Sequence, residues 1–305
     1  MILSKSPVFL FMIDFCHTSA SWSGGCPERG QQWYSFGMKI DIKILQIVNI
    51  LSFLAVLVVN TLASTVGING RLTGALSDRI PNLFVPAGLT FSIWGVIYLL
   101  LLLFTIAQAR GLFSAGQDGP EGTRRISWLF ALSSAANVAW LLLWHCELVG
   151  GSVVAMLVIL ASLLAIYVRL ETGRTRANSA ERWFFRVPFS VYLGWITVAT
   201  IANVTAFLVK AGWNGFGVRP EVWAVAVIIV AALITVAVLE TRRDVGYGLV
   251  VLWALAGIAL KRSADSTPAS HGVLVAAVTC GAVVAAAIIA SAVRSGLKPL
   301  KADLS

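Results

Sequence analysis

Charge is what this sequence has least of. Only 12% of its 305 residues are Asp, Glu, Lys or Arg, and 58% are apolar; a soluble domain normally carries about 25% charged residues. The polar surface that wraps a water-soluble fold is missing. The few charges also avoid the middles of the apolar stretches, where pumps and ion-coupled carriers place their carboxylates and basic groups, which argues against ion coupling. Cysteine and histidine are scarce and scattered. Cys16 and Cys26 lie near the N-terminus, Cys146 at the end of an apolar stretch and Cys280 inside one, with no CxxC and only His17, His145 and His271 beside them. Neither a zinc site nor a disulfide framework is expected. Catalytic clusters are missing too. The best pair, His145 and Glu147, stands two residues apart, so on a helix the two point to different sides and share no proton relay. An enzyme is not expected.

What the chain does have is eight apolar stretches, at about 44–63, 83–107, 127–148, 152–169, 183–209, 222–239, 246–260 and 273–293. A bilayer core about 30 Å thick takes roughly 20 helical residues, and unsatisfied backbone groups are too costly in lipid for any other reading of such runs. The expected fold is all-α: a polytopic helical membrane protein with about eight transmembrane helices, the seventh stretch being the shortest. The net charge of +9 does not gather into one patch, so no nucleic acid partner is expected. With the N-terminus placed inside, 17 of the 23 Lys and Arg fall on the inner side and 6 on the outer. That bias predicts a multi-pass protein of the cell membrane with both termini cytoplasmic. Arg169, Arg174, Arg176, Arg182 and Arg186 supply much of it and are read as topology and headgroup contacts.

Residues 1–37 are polar and Gly/Ser-rich, and Phe9–Ile13 is too short to span a membrane or to serve as a signal peptide. Met38-Lys39 before an apolar helix reads as a membrane-protein start, with 1–37 as a disordered tail or an over-extended start. Aromatic residues crowd the next part, 38–212, whereas 213–305 is mostly Ala, Val, Ile and Leu, with only Trp223 and Trp253 in its spans. The organisation expected is an aromatic five-helix unit followed by an aliphatic three-helix extension. The Ala/Gly-rich last span, Val273–Val293, suits close helix packing.

Asn60, Asn137 and Asn203 fall within or near spans. An amide in hydrocarbon needs a partner, and helices supply one across an interface, so glue between helices is one reading; a shared ligand cavity is the other. Asn137 and Trp140 are three residues apart on one helix face. Trp195 and Asn203 are eight apart, slightly over two turns, and share another. Trp128 and Trp183 begin their spans and suit an interfacial belt, while Trp140 and Trp195 lie deeper. Pro86 and Pro188 stand near the starts of spans two and five, where Pro188 would kink its helix and open space.

These residues resemble a known family. Pro86, Trp94 and Tyr98, in Pro-Ala-Gly-Leu-Thr-Phe-Ser-Ile-Trp-Gly-Val-Ile-Tyr, look like the second helix of the translocator protein family (TspO/MBR, the tryptophan-rich sensory proteins). Ala136-Asn137-Val138-Ala139-Trp140 followed by Trp144 resembles its third helix, and Pro188-Phe189, Trp195 and Asn203 resemble its fifth. The resemblance covers about residues 40–210. The gap from Pro188 to Trp195 is longer than the family's, a second proline close before Trp94 is absent, and the last three helices have no counterpart in the five-helix family fold, so an extended, distant branch is indicated. The resemblance implies a TspO-like five-helix bundle whose aromatic pocket binds a flat hydrophobic ligand, a tetrapyrrole such as porphyrin or haem, or a sterol or lipid-like molecule, for sensing or carriage. It implies Trp94, Tyr98, Asn137, Trp140, Trp144, Trp195 and Asn203 as ligand-binding residues, with no covalent cofactor, no catalytic residue and no metal. The loop Ser64–Asn82 would cover the pocket, with Arg71 or Arg79 meeting a ligand carboxylate. The partners expected are the lipid bilayer and a hydrophobic small molecule; a homodimer stays open. The alternative is a multi-pass permease or transporter subunit for a hydrophobic solute, not ion-coupled.

Overall fold

The first long helix begins where Asp41 accepts a hydrogen bond from the Lys43 amide at 2.9 Å, satisfying one of the donors a helix N-terminus leaves free. From there the computed structural model describes residues 41–80, 82–113 and 119–297, and all of its regular elements are helical. We number them α1 (Ile42–Thr65), α2 (Thr73–Asp78), α3 (Ile93–Gln108, preceded by a 3-10 turn, Gly88–Ser92), α4 (Glu121–Ile126), α5 (Leu129–His145), α6 (Val149–Arg169), α7 (Val187–Lys210), α8 (Pro220–Arg242), α9 (Val245–Ser263) and α10 (Pro268–Leu297). Among the described residues, seven helical stretches are long and apolar enough to cross a membrane. The remaining span, α5, has 17 residues, about 26 Å at 1.5 Å per residue. The chain is an all-α polytopic membrane protein. The expectation for residues 1–37 lies outside the described residues.

Two boundaries differ from the sequence reading. Span two starts at Gly88 and not near residue 83, because Pro86 and Ala87 are still in extended backbone. The seventh span is not short: α9 runs 19 residues, carrying Lys261 and Arg262 in its last turn. Pro188 sits just after an irregular turn. It cannot donate to the helix ladder and its ring crowds the carbonyl four residues back. The chain meets this with a π-helical turn, Arg182–Arg186, in which the Val187 amide reaches back to the Arg182 carbonyl. Arg186 ends that turn buried, held by Glu181 and by the Thr175 carbonyl and hydroxyl.

Helices α1, α5, α6, α7 and α3 pack in that order into a closed ring, since α3 also touches α1. The end of the ring at the α3 C-terminus is filled by Phe104, Phe130, Phe185 and Phe189 in edge-to-face contacts at 5.0–5.9 Å. Helices α8, α9 and α10 pack on one another, and α9 docks on α7 and on the 3-10 turn. Glycine sets that docking. Gly194 on α7 faces the α9 backbone at Tyr247, and a Cβ on Gly257 would stand 1.9 Å from the Thr90 hydroxyl. The Gly257 carbonyl accepts from the Ala87 amide at 3.0 Å, and Trp253 Nε1 donates to the Thr90 carbonyl at 3.0 Å. Close packing was expected of the last span, and α10 packs along both α8 and α9, where a Cβ on Gly248 of α9 would stand 3.0 Å from Ile288.

Candidate ligand pocket

Trp94 is the hub of the opposite half of the ring, at the α3 N-terminus. Its indole stacks on Tyr98 at 5.5 Å, lies 6.4 Å from Trp140, and meets Tyr192 and Trp195 edge-on at 5.9 and 6.2 Å. Trp140 stacks on Trp144 at 6.3 Å, and Phe91 meets Trp195 at 5.8 Å. Three helices and the 3-10 turn thus deliver one continuous aromatic group. Trp94 and Tyr98 meet because four residues is about one turn; Trp140 and Trp144 meet for the same reason.

The amides brace this group. Trp140 Nε1 donates to Asn203 Oδ1 at 3.2 Å, and Asn203 Nδ2 donates to Ser152 Oγ at 3.0 Å, tying α5, α6 and α7 together. Asn137, fully buried, accepts from Asn60 Nδ2 at 2.9 Å and donates to the Tyr192 hydroxyl at 3.2 Å, linking α1, α5 and α7. Asn137 and Asn203 therefore both make the interhelical bonds expected of amides in lipid, and Asn203 also lines the cavity. Two donors within the aromatic group stay unpaired and buried, the Trp195 indole N–H and the Tyr98 hydroxyl.

The cavity is lined by Phe91, Trp94, Trp140, Trp144, Trp195 and Asn203, with Thr73 and Ser77 of α2 above it. Its free space is only about 50 Å³, whereas pockets for drug-sized ligands run to about 300–1,000 Å³. The rings fill the pocket against one another, so a flat ligand enters only by parting them. Of the residues expected, Trp94, Trp140, Trp144, Trp195 and Asn203 line one space; Tyr98 and Asn137 stand behind it, Tyr98 against Trp94 and Asn137 under Tyr192.

The loop between α1 and α3 closes this end of the ring. Gly67, Asn69 and Gly70 have positive φ, which lets the chain turn back before α2. Leu76 of α2 is buried against Trp144, Val149 and Ala206. Arg71 pairs with Glu147 at the α5–α6 turn, and Lys210 of α7 reaches the same carboxylate at 3.5 Å and the Glu147 carbonyl at 2.7 Å. His145, fully buried, donates through Nδ1 to the Leu141 carbonyl at 2.8 Å, away from Glu147.

Tyr192, Phe91 and Ser152 escaped the sequence reading. Tyr192 stands one turn before Trp195, a spacing that signals a shared face; Ser152 carries no such signal. A second buried amide group was also missed. Gln46 donates to the Gln108 carbonyl at 2.6 Å, Gln108 donates back to the Gln46 carbonyl at 3.0 Å, and Asn49 donates to Gln108 Oε1 at 3.3 Å. It joins α1 to the end of α3, far along α1 from Asn60.

A family model described as TSPO-like protein matches residues 46–291. It runs well past residue 210, through α8, α9 and α10, so the family pattern includes the helices that the motif resemblance left out. No curated protein and no solved structure matches the chain.

Proposed function

The chain belongs to the TSPO-like protein family, and from that premise we propose that it binds a flat hydrophobic ligand, tetrapyrrole or sterol-like, between the rings of Trp94, Trp140, Trp144 and Trp195, for sensing or carriage. The observation that carries the reading is the convergence of four indoles from three helices on one lined space, with Asn203 at its wall. Indoles offer broad apolar faces for stacking, and a buried amide fixes orientation. The apolar spans and the Lys/Arg bias support a multi-pass protein of the cell membrane with both termini in the cytoplasm.

The test is a titration of purified, detergent-solubilised protein with protoporphyrin IX, following tryptophan fluorescence and the Soret band. Saturable quenching is expected, weakened about tenfold or more in Trp140→Ala with the helical circular dichroism unchanged. Quenching that does not saturate, equal in wild type and variant, removes the pocket reading and favours the permease alternative, which solute uptake into liposomes then examines.

A further inference from the structure

Far more open space lies beside the ring cluster than within it. Under the α1–α3 loop lies a cavity of about 550 Å³, lined by Leu76, Arg79, Ile80, Trp144, Glu147, Val149, Val209 and Lys210. Its volume falls in the range of small-molecule sites. Trp144 borders both this vestibule and the closed pocket, so the line of neighbouring rings Tyr98–Trp94–Trp140–Trp144 ends at the vestibule wall.

Its chemistry is one-sided. The apolar wall is Leu76, Ile80, Trp144, Val149 and Val209, and the polar rim carries Arg79 and Lys210 against the carboxylate of Glu147. Glu147 is already engaged by Arg71 from outside the cavity lining and by Lys210. Arg79 has no acidic partner among the described residues and is exposed at the rim. Its guanidinium can take a carboxylate through two parallel N–H bonds. Of the two loop arginines, the structure therefore leaves Arg79, and not Arg71, available to a ligand.

We propose that the vestibule is a binding site for the carboxylate end of an amphiphilic anion, held by Arg79 and Lys210 while its apolar part lies against Trp144 and leads into the ring cluster. The inference rests on the ligand pocket proposed above and narrows its ligand class to molecules that pair a flat or extended apolar body with at least one carboxylate. An incoming carboxylate competes with Glu147 for Lys210, which ties occupancy of the vestibule to the latch that holds the α1–α3 loop.

The experiment compares protoporphyrin IX with its dimethyl ester on the full-length solubilised protein, at about 50 and 500 mM NaCl. The expected result is about tenfold tighter binding of the acid at low salt, with that advantage shrinking at high salt because exposed charge pairs are screened. Arg79→Gln and Lys210→Gln should each lose most of the advantage and leave ester binding unchanged, whereas Trp140→Ala should weaken both probes. Equal affinities for acid and ester in wild type overturn the proposal while leaving the ring pocket standing. An acid preference that ignores salt, or that persists in both charge variants, overturns it as well. Failure of both probes to bind removes the ring pocket and the vestibule together. The salt comparison needs no variant, so a charge variant that does not fold leaves the test intact.

Discussion

The five-helix ring and the three helices after it solve the same problem, burying apolar helices in a membrane protein, by different means. Inside the ring, α1, α5, α6 and α7 are joined by side-chain hydrogen bonds, through Asn60, Asn137 and Tyr192 and through Trp140, Asn203 and Ser152. Between α8, α9 and α10 the buried contacts are largely aliphatic, the hydroxyl of Thr235 turns back to its own helix at the Ala231 carbonyl, and the polar links, Arg262 to Ser270 and Arg294 to Glu240, sit at helix ends. There glycine does the positioning, with Gly248 set against Ile288 and Leu239. Lipid is as apolar as leucine, so helices in it are held by tight packing or by polar bonds. Aromatic rings leave an irregular interior that backbones cannot approach closely. The ring region therefore relies on amides to fix its helices at a distance, and the later region lets aliphatic side chains close on glycine.

Gly257 is where that contrast breaks most sharply. A methyl there collides with Thr90, and overpacking of this kind costs about 3 kcal/mol or more. Gly257→Ala should lower the yield of monodisperse protein and its thermal midpoint more than any alanine substitution inside the ring. Adding Thr90→Ala removes the closest atoms and should recover part of the loss; no recovery in the double variant would mean that the contact does not set the packing.

Asn137 sharpens the other side. Asn137→Ala strands the Tyr192 hydroxyl without its donor, while Asn60 keeps its bond to the Val56 carbonyl at 2.9 Å. The expected cost is about 1–3 kcal/mol, read from thermal unfolding in detergent. Arg71→Ala should cost less, below about 1 kcal/mol, because its pair with Glu147 is partly exposed. Its signature is access: acrylamide quenching of tryptophan should rise as the α1–α3 loop loosens over Trp144.

The smallest effect belongs to the turn before α10. The Ser270 hydroxyl, and then the Thr267 amide, hold the Asp265 carboxyl below its ordinary value of 3.8. A depressed carboxylate contributes stability that is fully present above the ordinary value and is lost as the pH falls toward the lower folded one. Thermal midpoints of wild type and Asp265→Asn should therefore converge in acid and differ slightly at neutral pH. A difference that does not change between the two would place the role of Asp265 elsewhere.

Much of this molecule was legible before its coordinates. Hydropathy gave eight spans because a bilayer fixes helix length, and spacings of three, four and eight paired Trp94 with Tyr98, Asn137 with Trp140, and Trp195 with Asn203 on their faces. What spacing cannot state is which face meets which helix. That Trp140 donates to Asn203, and that Asn137 binds Asn60 and Tyr192, depends on contacts 55–77 residues apart in sequence. Nor does sequence say whether a ring cluster is open. Four tryptophans read as a pocket, and only their packing shows a closed stack beside an open vestibule.

The glycine seam between α9 and the 3-10 turn bears on the order in which the protein can be made. Thr90 is buried, and its carbonyl is bonded by Trp253, 163 residues further along the chain. The Ala87 amide likewise waits for the Gly257 carbonyl. At roughly 5–20 residues per second, the ribosome needs on the order of ten to thirty seconds to deliver α9 after this turn has emerged. In the last part of that interval, once Trp195 has been made, the ring has its tryptophans but not the backbone partners that seat span two. Release of the nascent chain before α9 would leave the turn's polar groups without their native partners, and a truncated five-helix product becomes a substrate for membrane quality control.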